Sequence, residues 1–170
     1  VSSFSSAGPC RDGRVKPDLT ANGETLLTTE KSSSSYYFST GTSIAAPVVA
    51  GAAALIQQRA VSARGGELGG ELMKALLLNS AVDMGRPGPD ALHGFGLLNA
   101  LDAVRTVDAD SPPGRRLVSA SLSSTSRPRA YILSADGAPI SVTVSWFDQP
   151  GDVLAAAAII NDLDLKLTNI

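Results

Sequence analysis

The chain has 170 residues, 44% hydrophobic and 18% charged, which is typical of one globular domain, or one domain and part of a second, and not of a disordered chain. The net charge of −2 argues against nucleic acid as a partner, because phosphate binding needs clustered Lys and Arg. A single cysteine, Cys10, excludes an intramolecular disulfide.

The N-terminal part of the chain predicts loops and two short strands. Residues 1–23 are rich in Ser, Gly, Pro and Asp, which favours loops around short extended pieces. Strands are predicted at 26–29 and 36–38, on the two sides of a serine-rich loop at 31–35. The chain starts without Met or a signal-like segment, and we expect it to be a piece of a longer protein.

A long apolar helix is predicted next, over 44–60, starting close to Ser43. Pro47 supports that start, because proline is tolerated in the first helical turn and costly deeper in a helix. The segment is apolar on every face, so we expect it to be covered all round at the centre of a core. A membrane span is disfavoured, because the apolar run ends at Ile56 and is shorter than the ~20 residues that a span needs.

Two shorter helices are predicted after it. The first covers 70–80, where Leu72, Leu76 and either Asn79 or Ala75 lie on related faces. The second is capped by Asn99 and ends near residue 105.

The composition then changes at a Pro/Gly-rich stretch, 109–116, which predicts a linker between a first unit, 1–108, and a second unit, 117–170. In the second unit apolar and polar residues alternate in short runs divided by turn signals, which is typical of the strands of a β-sandwich. About four runs are present, fewer than the roughly seven strands of a complete sandwich, so we expect an incomplete domain.

The serine that precedes the apolar helix, Ser43, has two interpretations. A serine at a helix start most often accepts a hydrogen bond from a free backbone amide as the N-cap. It can also be a nucleophile, because the free amides and the positive end of the helix dipole would stabilise an oxyanion beside it. Gly41 would allow a close approach, and Ala45 and Ala46 would leave room for a substrate. This motif alone favours the cap.

The flanking residues favour the nucleophile. Segment 39–55, STGTSIAAPVVAGAAAL, resembles the nucleophile segment of the subtilisin-like serine proteases, the subtilases. Every defined position of that motif is matched, by Gly41, Thr42, Ser43, Ala45, Pro47, Val49, Ala50 and Gly51. Two more blocks resemble the family: FSSAGPCRDGRVKPDLTANG at 4–23 and GFGLLNALDAV at 94–104. The alternating tail is similar to the β-sandwich that follows the catalytic domain in some large subtilases.

The resemblance implies an α/β fold, with the C-terminal portion of a layered, parallel-sheet catalytic domain followed by part of a jelly-roll-like β-sandwich. It implies a serine endopeptidase that cleaves proteins or peptides through an acyl-enzyme on Ser43. The backbone N–H of Ser43 would donate to the oxyanion, and Thr42 would shape the same pocket. The chemistry requires no cofactor, and the family's usual location implies a secreted, secretory or vacuolar protein.

The partners of Ser43 are not in the expected place. A serine hydroxyl needs a base, and in the subtilisin order the Asp and the His both precede the Ser. No histidine precedes Ser43, so the resemblance places both partners in an upstream half of the catalytic domain and predicts that this chain alone is inactive. The sequence also departs from common family residues, none of them catalytic, at Ala7, Asn22 and Val48.

A self-contained esterase is one alternative. Ser43, then Asp83 or Asp90, then His93 reproduces the order of an α/β-hydrolase triad. Against it, the glycine that should follow the nucleophile in the hydrolase elbow is Ala45, and His93 borders a block that the subtilase resemblance explains.

A catalytically silent, subtilase-like binding module is the other alternative, with the second unit as its working part. Carboxylates there offer oxygen ligands for a structural calcium ion. Asp162 and Asp164 would share one face of a strand, with Asp148 and Asp152 as further candidates. No calcium-loop pattern supports this site, and solvated acids are the favoured interpretation.

Overall fold

The computed structural model describes residues 1–112, 114–123, 129–133, 137–152, 155 and 159–168. Within these residues two strands precede three helices. The strands are β1, Leu26–Thr29, and β2, Tyr36–Ser39. The helices are α1, Thr42–Arg64, α2, Gly70–Asn79, and α3, Ala100–Asp108.

Both predicted strands are present, and they pair as an antiparallel hairpin. Leu26 lies opposite Ser39, and Thr29 lies opposite Tyr36. The turn between them is closed by Glu30, whose carboxylate accepts a hydrogen bond from the Ser33 hydroxyl at 2.6 Å. Only two residues separate the end of β2 from the start of α1, so the hairpin holds the N-terminus of that helix.

Helix α1 begins at Thr42, with Gly41 as its N-cap, and the predicted start is confirmed. Pro47 is the sixth helical residue and lies in the second turn, so its predicted place in the first turn is wrong. Proline has no N–H, and the carbonyl of Ser43 therefore lacks the amide that would normally bond to it four residues on. The helix ends at Gly65, whose φ of 74° is the left-handed conformation that glycine adopts readily.

The core lies between α1, α2 and α3, and α1 packs mainly against α3. One stripe of α1 is buried, formed by Ala52, Ile56 and Ala60. The expectation that this helix is covered all round is wrong for the described residues, since Leu55 is 65% exposed. Residues at four-residue spacing share one face of a helix, and α3 packs against that face of α1.

By length and composition alone, α1 is a candidate membrane span. The core helix of a soluble protein passes the same test of length and composition. Its C-terminal half carries charges that are paired with α3 and the residues after it. Arg59 Nε lies 2.5 Å from a carboxylate oxygen of Asp108, and Arg64 Nε lies 2.7 Å from one of Asp110. These ion pairs and the buried stripe favour the core interpretation.

The stretch that predicts a linker is packed at its start. The Asp110 side chain is only 1% exposed, and its carboxylate accepts hydrogen bonds from the backbone amides of Arg116 and Leu117 at 2.6 and 2.9 Å. Leu117 belongs to the same core cluster as Ile56. The chain after α3 therefore turns back onto the C-terminus of α1.

The layered parallel sheet and the β-sandwich are not confirmed. In the described residues the only sheet is the antiparallel hairpin, besides isolated bridges such as the parallel one between Thr20 and Leu97. No strand is assigned among the described residues beyond 117. Alternation predicts an extended chain, but a strand also requires a hydrogen-bonded neighbour, and these described segments do not pair.

The second unit nevertheless contacts the first. The side-chain amide of Asn79, at the end of α2, donates to the hydroxyls of Ser141 and Thr143, both at 2.9 Å. At the other end of α2, the ring of Phe147 lies so close to Gly70 that a Cβ there would approach the ring to 2.9 Å. The segment from Ser141 to Phe147 thus runs along α2.

The buried stripe of α1 leads to a first prediction. Ile56→Ala should lower the free energy of unfolding of the chain by about 3 kcal/mol, because Ile56 is fully buried and its truncation leaves a cavity. Leu55→Ala is the matched control on the exposed face of the same helix, with an expected change within about 0.5 kcal/mol. Urea unfolding of both variants measures the difference, and equal losses would contradict the one-sided packing of α1.

The Asp110 ion pair leads to a second prediction. Burial tends to raise the pKa of Asp110, but the amides of Leu117 and Arg116 and the Arg64 guanidinium together lower it below 3.8. A carboxyl whose pKa is lower in the folded chain stabilises it above the unfolded pKa, and this stabilisation is lost as the pH falls through the folded pKa. Asp110→Asn should therefore cost roughly 2 kcal/mol near neutral pH and progressively less as the pH falls below about 4.

The control is Asp108→Asn, whose partner Arg59 is on the surface and whose loss should cost less than about 1 kcal/mol. Urea unfolding near pH 7 and near pH 3 is the measurement. A cost for Asp110→Asn that stays constant between these two conditions would show that the carboxylate charge is not what matters.

Candidate active site

Ser43 is the second residue of α1, and its side chain is exposed. Its hydroxyl makes no hydrogen bond to any residue that the structure describes. The N-cap position belongs to Gly41, and no side chain caps the helix. The cap interpretation of Ser43 is therefore wrong, and its hydroxyl is free for chemistry.

Gly41 keeps this hydroxyl uncovered. Its φ of 156° is a conformation that residues with a side chain rarely adopt, and a Cβ at this position would lie 3.3 Å from Ser43 Oγ. The Gly41 amide donates to the carbonyl of Gly23 at 2.8 Å. A Cβ on Gly23 would in turn come within 2.6 Å of the Gly41 carbonyl. Two glycines in close backbone contact thus hold the turn before Ser43.

The N-terminus of α1 offers amides that could bind an oxyanion. The amides of Ile44 and Ala45 donate to the Gly41 carbonyl, at 3.0 and 3.2 Å. Those of Thr42 and Ser43 have no acceptor among the described residues. Free amides at the positive end of a helix dipole stabilise negative charge. The geometry therefore suits the predicted role of the Ser43 N–H.

Thr42 is the first residue of α1, and its side chain is exposed. Its hydroxyl has no hydrogen-bond partner within the described part of the chain. The structure thus places it beside Ser43, and its role in shaping the pocket stays a prediction.

His93 and Asp90 form a pair of their own. His93 Nδ1 lies 3.2 and 3.3 Å from the two carboxylate oxygens of Asp90, and the His93 amide donates to Asp90 Oδ1 at 2.7 Å. Hydrogen bonds from the amides of His93 and Leu92, and then from the imidazole, lower the pKa of Asp90 to about 2. Asp83 instead accepts a bond from the Gly88 amide at 2.8 Å.

No hydrogen bond joins either member of this pair to Ser43 in the described structure. The loop that carries the pair packs closely against residues 17–18. The approach is so close that a Cβ on Gly94 would come within 2.1 Å of the Pro17 carbonyl. The carboxylate and the imidazole therefore stabilise their own loop, and the esterase alternative lacks its required link to the nucleophile.

Asp18 links its loop to α2 through ion pairs. Its carboxylate forms ion pairs with Lys16 and, at 3.1 Å, with Lys74 of α2. Burial acts to raise the pKa of Asp18, but the two lysines lower it. Sequence reasoning missed the Asp18–Lys74 pair and the Arg64–Asp110 pair, because partners so far apart in sequence carry no local signal.

The acids of the second unit do not assemble into a metal site. Asp148 accepts hydrogen bonds from the Ile160 amide at 2.6 Å and from the Asn161 side chain at 2.7 Å, so its oxygens hold a loop closed. The described residues contain no group of three or more His, Cys, Asp or Glu side chains that could hold a metal ion. Asp162 and Asp164 thus gain no third ligand of these types from the described structure.

Known proteins are similar to this chain. The model of the subtilase family (Peptidase S8) matches residues 1–96. The chain is 27% identical, over 96% of its length, to the serine protease/ABC transporter B family protein tagA of Dictyostelium discoideum, of which it covers 11%.

Solved protease structures are also similar. The CspB protease of Clostridium perfringens is 31% identical with a TM-score of 0.55, over 65% of this chain and 24% of that one. A lanthipeptide protease is 36% identical with a TM-score of 0.41, over 43% of this chain and 22% of that one. The chain thus spans about a quarter or less of the length of these relatives. With more than half of its residues matched by the family model, including the turn that presents Ser43, the chain belongs to the subtilase family.

Proposed function

We propose that this chain supplies the nucleophile of a subtilisin-type serine endopeptidase. The observation that carries the proposal is the Ser43 hydroxyl, which bonds to none of the described residues and lies beside two amides, at the N-terminus of α1, that have no acceptor among those residues. A serine used only for structure would be expected to spend its hydroxyl on a cap or a turn. The protease relatives support the same reaction class.

In the proposed mechanism, Ser43 Oγ attacks the carbonyl carbon of a peptide bond while an imidazole accepts the hydroxyl proton. The Ser43 amide donates to the oxygen that becomes negative, and a C–O bond joins the acyl group to the serine. The imidazole then gives its proton to the leaving amine as the C–N bond breaks. Water releases the acyl group by the same steps in reverse.

This imidazole and its carboxylate partner come from residues outside this chain. No histidine precedes Ser43, and the one that follows, His93, is bonded to Asp90. The proposal therefore includes an upstream half of the catalytic domain as a partner. The apolar face of α1 that the described residues leave uncovered, which includes Val48 and Leu55, is the surface against which that half would pack.

The substrate is then a protein or peptide. A secreted, secretory or vacuolar location is part of the proposal and rests on the family's usual location alone. If the upstream half lacks its Asp or His, the same chain would be a catalytically silent binding module, so the activity test below decides between the two.

The first test of the proposal uses the protein expressed from its complete coding region. Ser43→Ala should reduce kcat for a peptide substrate by about 10⁶, because the acyl-enzyme cannot form. His93→Ala should leave kcat within about threefold, since the imidazole stabilises only its own loop. The 170-residue chain alone should hydrolyse nothing above background.

Steady-state kinetics on a fluorogenic peptide, with circular dichroism to confirm folding, gives the measurement. A collapse of kcat in a folded His93→Ala protein would favour the esterase triad. Full activity in Ser43→Ala would remove Ser43 from the mechanism.

The proposed partner surface has its own test. Leu55→Lys should change the stability of the isolated chain by less than about 0.5 kcal/mol, because the side chain is exposed there. In the complete protein the same change should cost several kcal/mol, about 3 or more, because a charge would be buried without a partner. Thermal or urea unfolding of both forms measures this, with Gln58→Lys as a control on the polar end of the helix. Equal effects in the two forms would show that nothing covers this face.

A further inference from the structure

The hairpin is irregular at its base, where the chain passes from β2 to the helix that carries Ser43. Leu26 and Ser39 are the last residue pair of the ladder at this end. Beyond this pair, the two sides meet again where the amide of Gly41 donates to the carbonyl of Gly23. A regular ladder would have equal numbers of residues between these two contacts. Here there are two on the β1 side and one on the β2 side, which is the arrangement of a β-bulge.

The bulge consists of Glu24 and Thr25, opposite Thr40. Thr25 has a φ of 54°, and it is the only residue other than glycine with a positive φ in the part of the chain that the structure describes. A β-branched residue rarely adopts this left-handed conformation, because its Cβ crowds the backbone. Such strain persists only where the surrounding structure fixes it, and strained residues and bulges are both most frequent beside functional sites.

Two side chains fix the bulge. The Thr25 amide donates to Thr40 Oγ1 at 2.9 Å, so a hydroxyl takes the place of the backbone carbonyl that would accept this bond in a regular ladder. The Glu24 amide donates to Asn22 Oδ1 at 3.1 Å, which closes a turn of the backbone around the asparagine side chain. Asn22 is one of the positions at which the sequence departs from common family residues, and here its side chain has a defined contact.

The bulge is bonded to both residues that connect the hairpin to the nucleophile. Thr40 and Gly41 alone separate the end of β2 from the start of α1, and Ser43 is the second residue of that helix. Thr40 is held through its hydroxyl by Thr25, and Gly41 is held through its amide by the residue that precedes the bulge. A bulge bends its strand and changes the direction of the residues beside it.

We propose that this bulge positions Ser43 Oγ for attack, with Thr40 and Asn22 as positioning residues that act through the turn and make no contact with the substrate. This inference rests on the proposed endopeptidase function and adds what holds the nucleophile of that site in place. A displacement of about 1 Å at a reacting atom lowers a rate by about a hundredfold. The bond to Thr40 is exposed to solvent, so its loss should displace Ser43 Oγ by less than this and have a smaller effect on kcat.

The test uses the complete protein and steady-state kinetics on a fluorogenic peptide. Thr40→Val removes the hydroxyl at nearly constant side-chain volume. It should lower kcat about tenfold and leave KM within about twofold, because the hydroxyl acts on the nucleophile and not on the substrate. Thr40→Ser keeps the hydroxyl and should keep kcat within about twofold of the wild type. Circular dichroism confirms folding, and Thr40→Ala removes the same hydroxyl if Thr40→Val does not fold.

The matched control is Thr28→Val. The Thr28 hydroxyl donates to the Tyr37 carbonyl at 3.4 Å, within the regular part of the same hairpin. Its removal should leave kcat within about twofold, because this bond does not reach the turn before Ser43. On the other side of the bulge, Asn22→Ala should lower kcat about threefold, while Asn22→Asp keeps the acceptor oxygen and should keep kcat.

The outcomes separate the two proposals. An unchanged kcat in Thr40→Val, or a raised KM with kcat unchanged, overturns the positioning role. So does a loss of kcat that Thr40→Ser shares, because the hydroxyl would then not be its cause. An equal loss in Thr28→Val also overturns it, because any weakening of the hairpin would then have the same effect. Failure of the endopeptidase function itself would appear separately, as hydrolysis that persists in Ser43→Ala.

Discussion

The backbone contact between Gly41 and Gly23 is the constraint on which the candidate site depends. The Gly41 amide bonds to the Gly23 carbonyl, a Cβ on Gly23 would come within 2.6 Å of the Gly41 carbonyl, and a Cβ on Gly41 would lie 3.3 Å from Ser43 Oγ. Gly41, which makes this contact, lies between the end of β2 and the start of α1, and it is the N-cap of the helix whose second residue is Ser43. A side chain at position 41 would crowd the hydroxyl and force an unfavourable φ. The absence of a side chain at position 41 thus leaves the Ser43 hydroxyl uncovered.

A second constraint is the unequal packing of α1. The buried stripe of α1 that contains Ile56 packs against α3. Near the C-terminus of α1, Arg59 and Arg64 form ion pairs with Asp108 and Asp110. The opposite face, with Leu55, has no cover among the described residues. A helix that is apolar on all sides is stable in water only when both faces are buried. The same helix therefore carries Ser43 at its N-terminal end and an apolar face along its length that the described residues leave uncovered.

Much of the local structure was predictable, because it follows from short-range rules. The hairpin strands, the start of α1 and the Asn99 cap of α3 follow from propensity, turn residues and capping, and all three are confirmed. Pro47 was predicted in the first turn of α1 and lies in the second. The rule that proline is tolerated in a first turn does not cover a helix start at which a carbonyl, here that of Ser43, can lack its amide donor. The alternating runs after 117 predicted strands, but alternation does not specify a pairing partner.

The sequence by itself determined the family, the position of Ser43 at a helix N-terminus and the absence of a histidine before it, because all three depend on residue order alone. Only the tertiary structure decided that the Ser43 hydroxyl is free, that His93 is committed to Asp90, and that Asp110 is buried with Arg64. These outcomes depend on groups brought together from 3 to 46 positions apart, and on backbone angles such as φ at Gly41. Residue order limits which of these contacts can form, and the packing of the folded chain decides which of them do form.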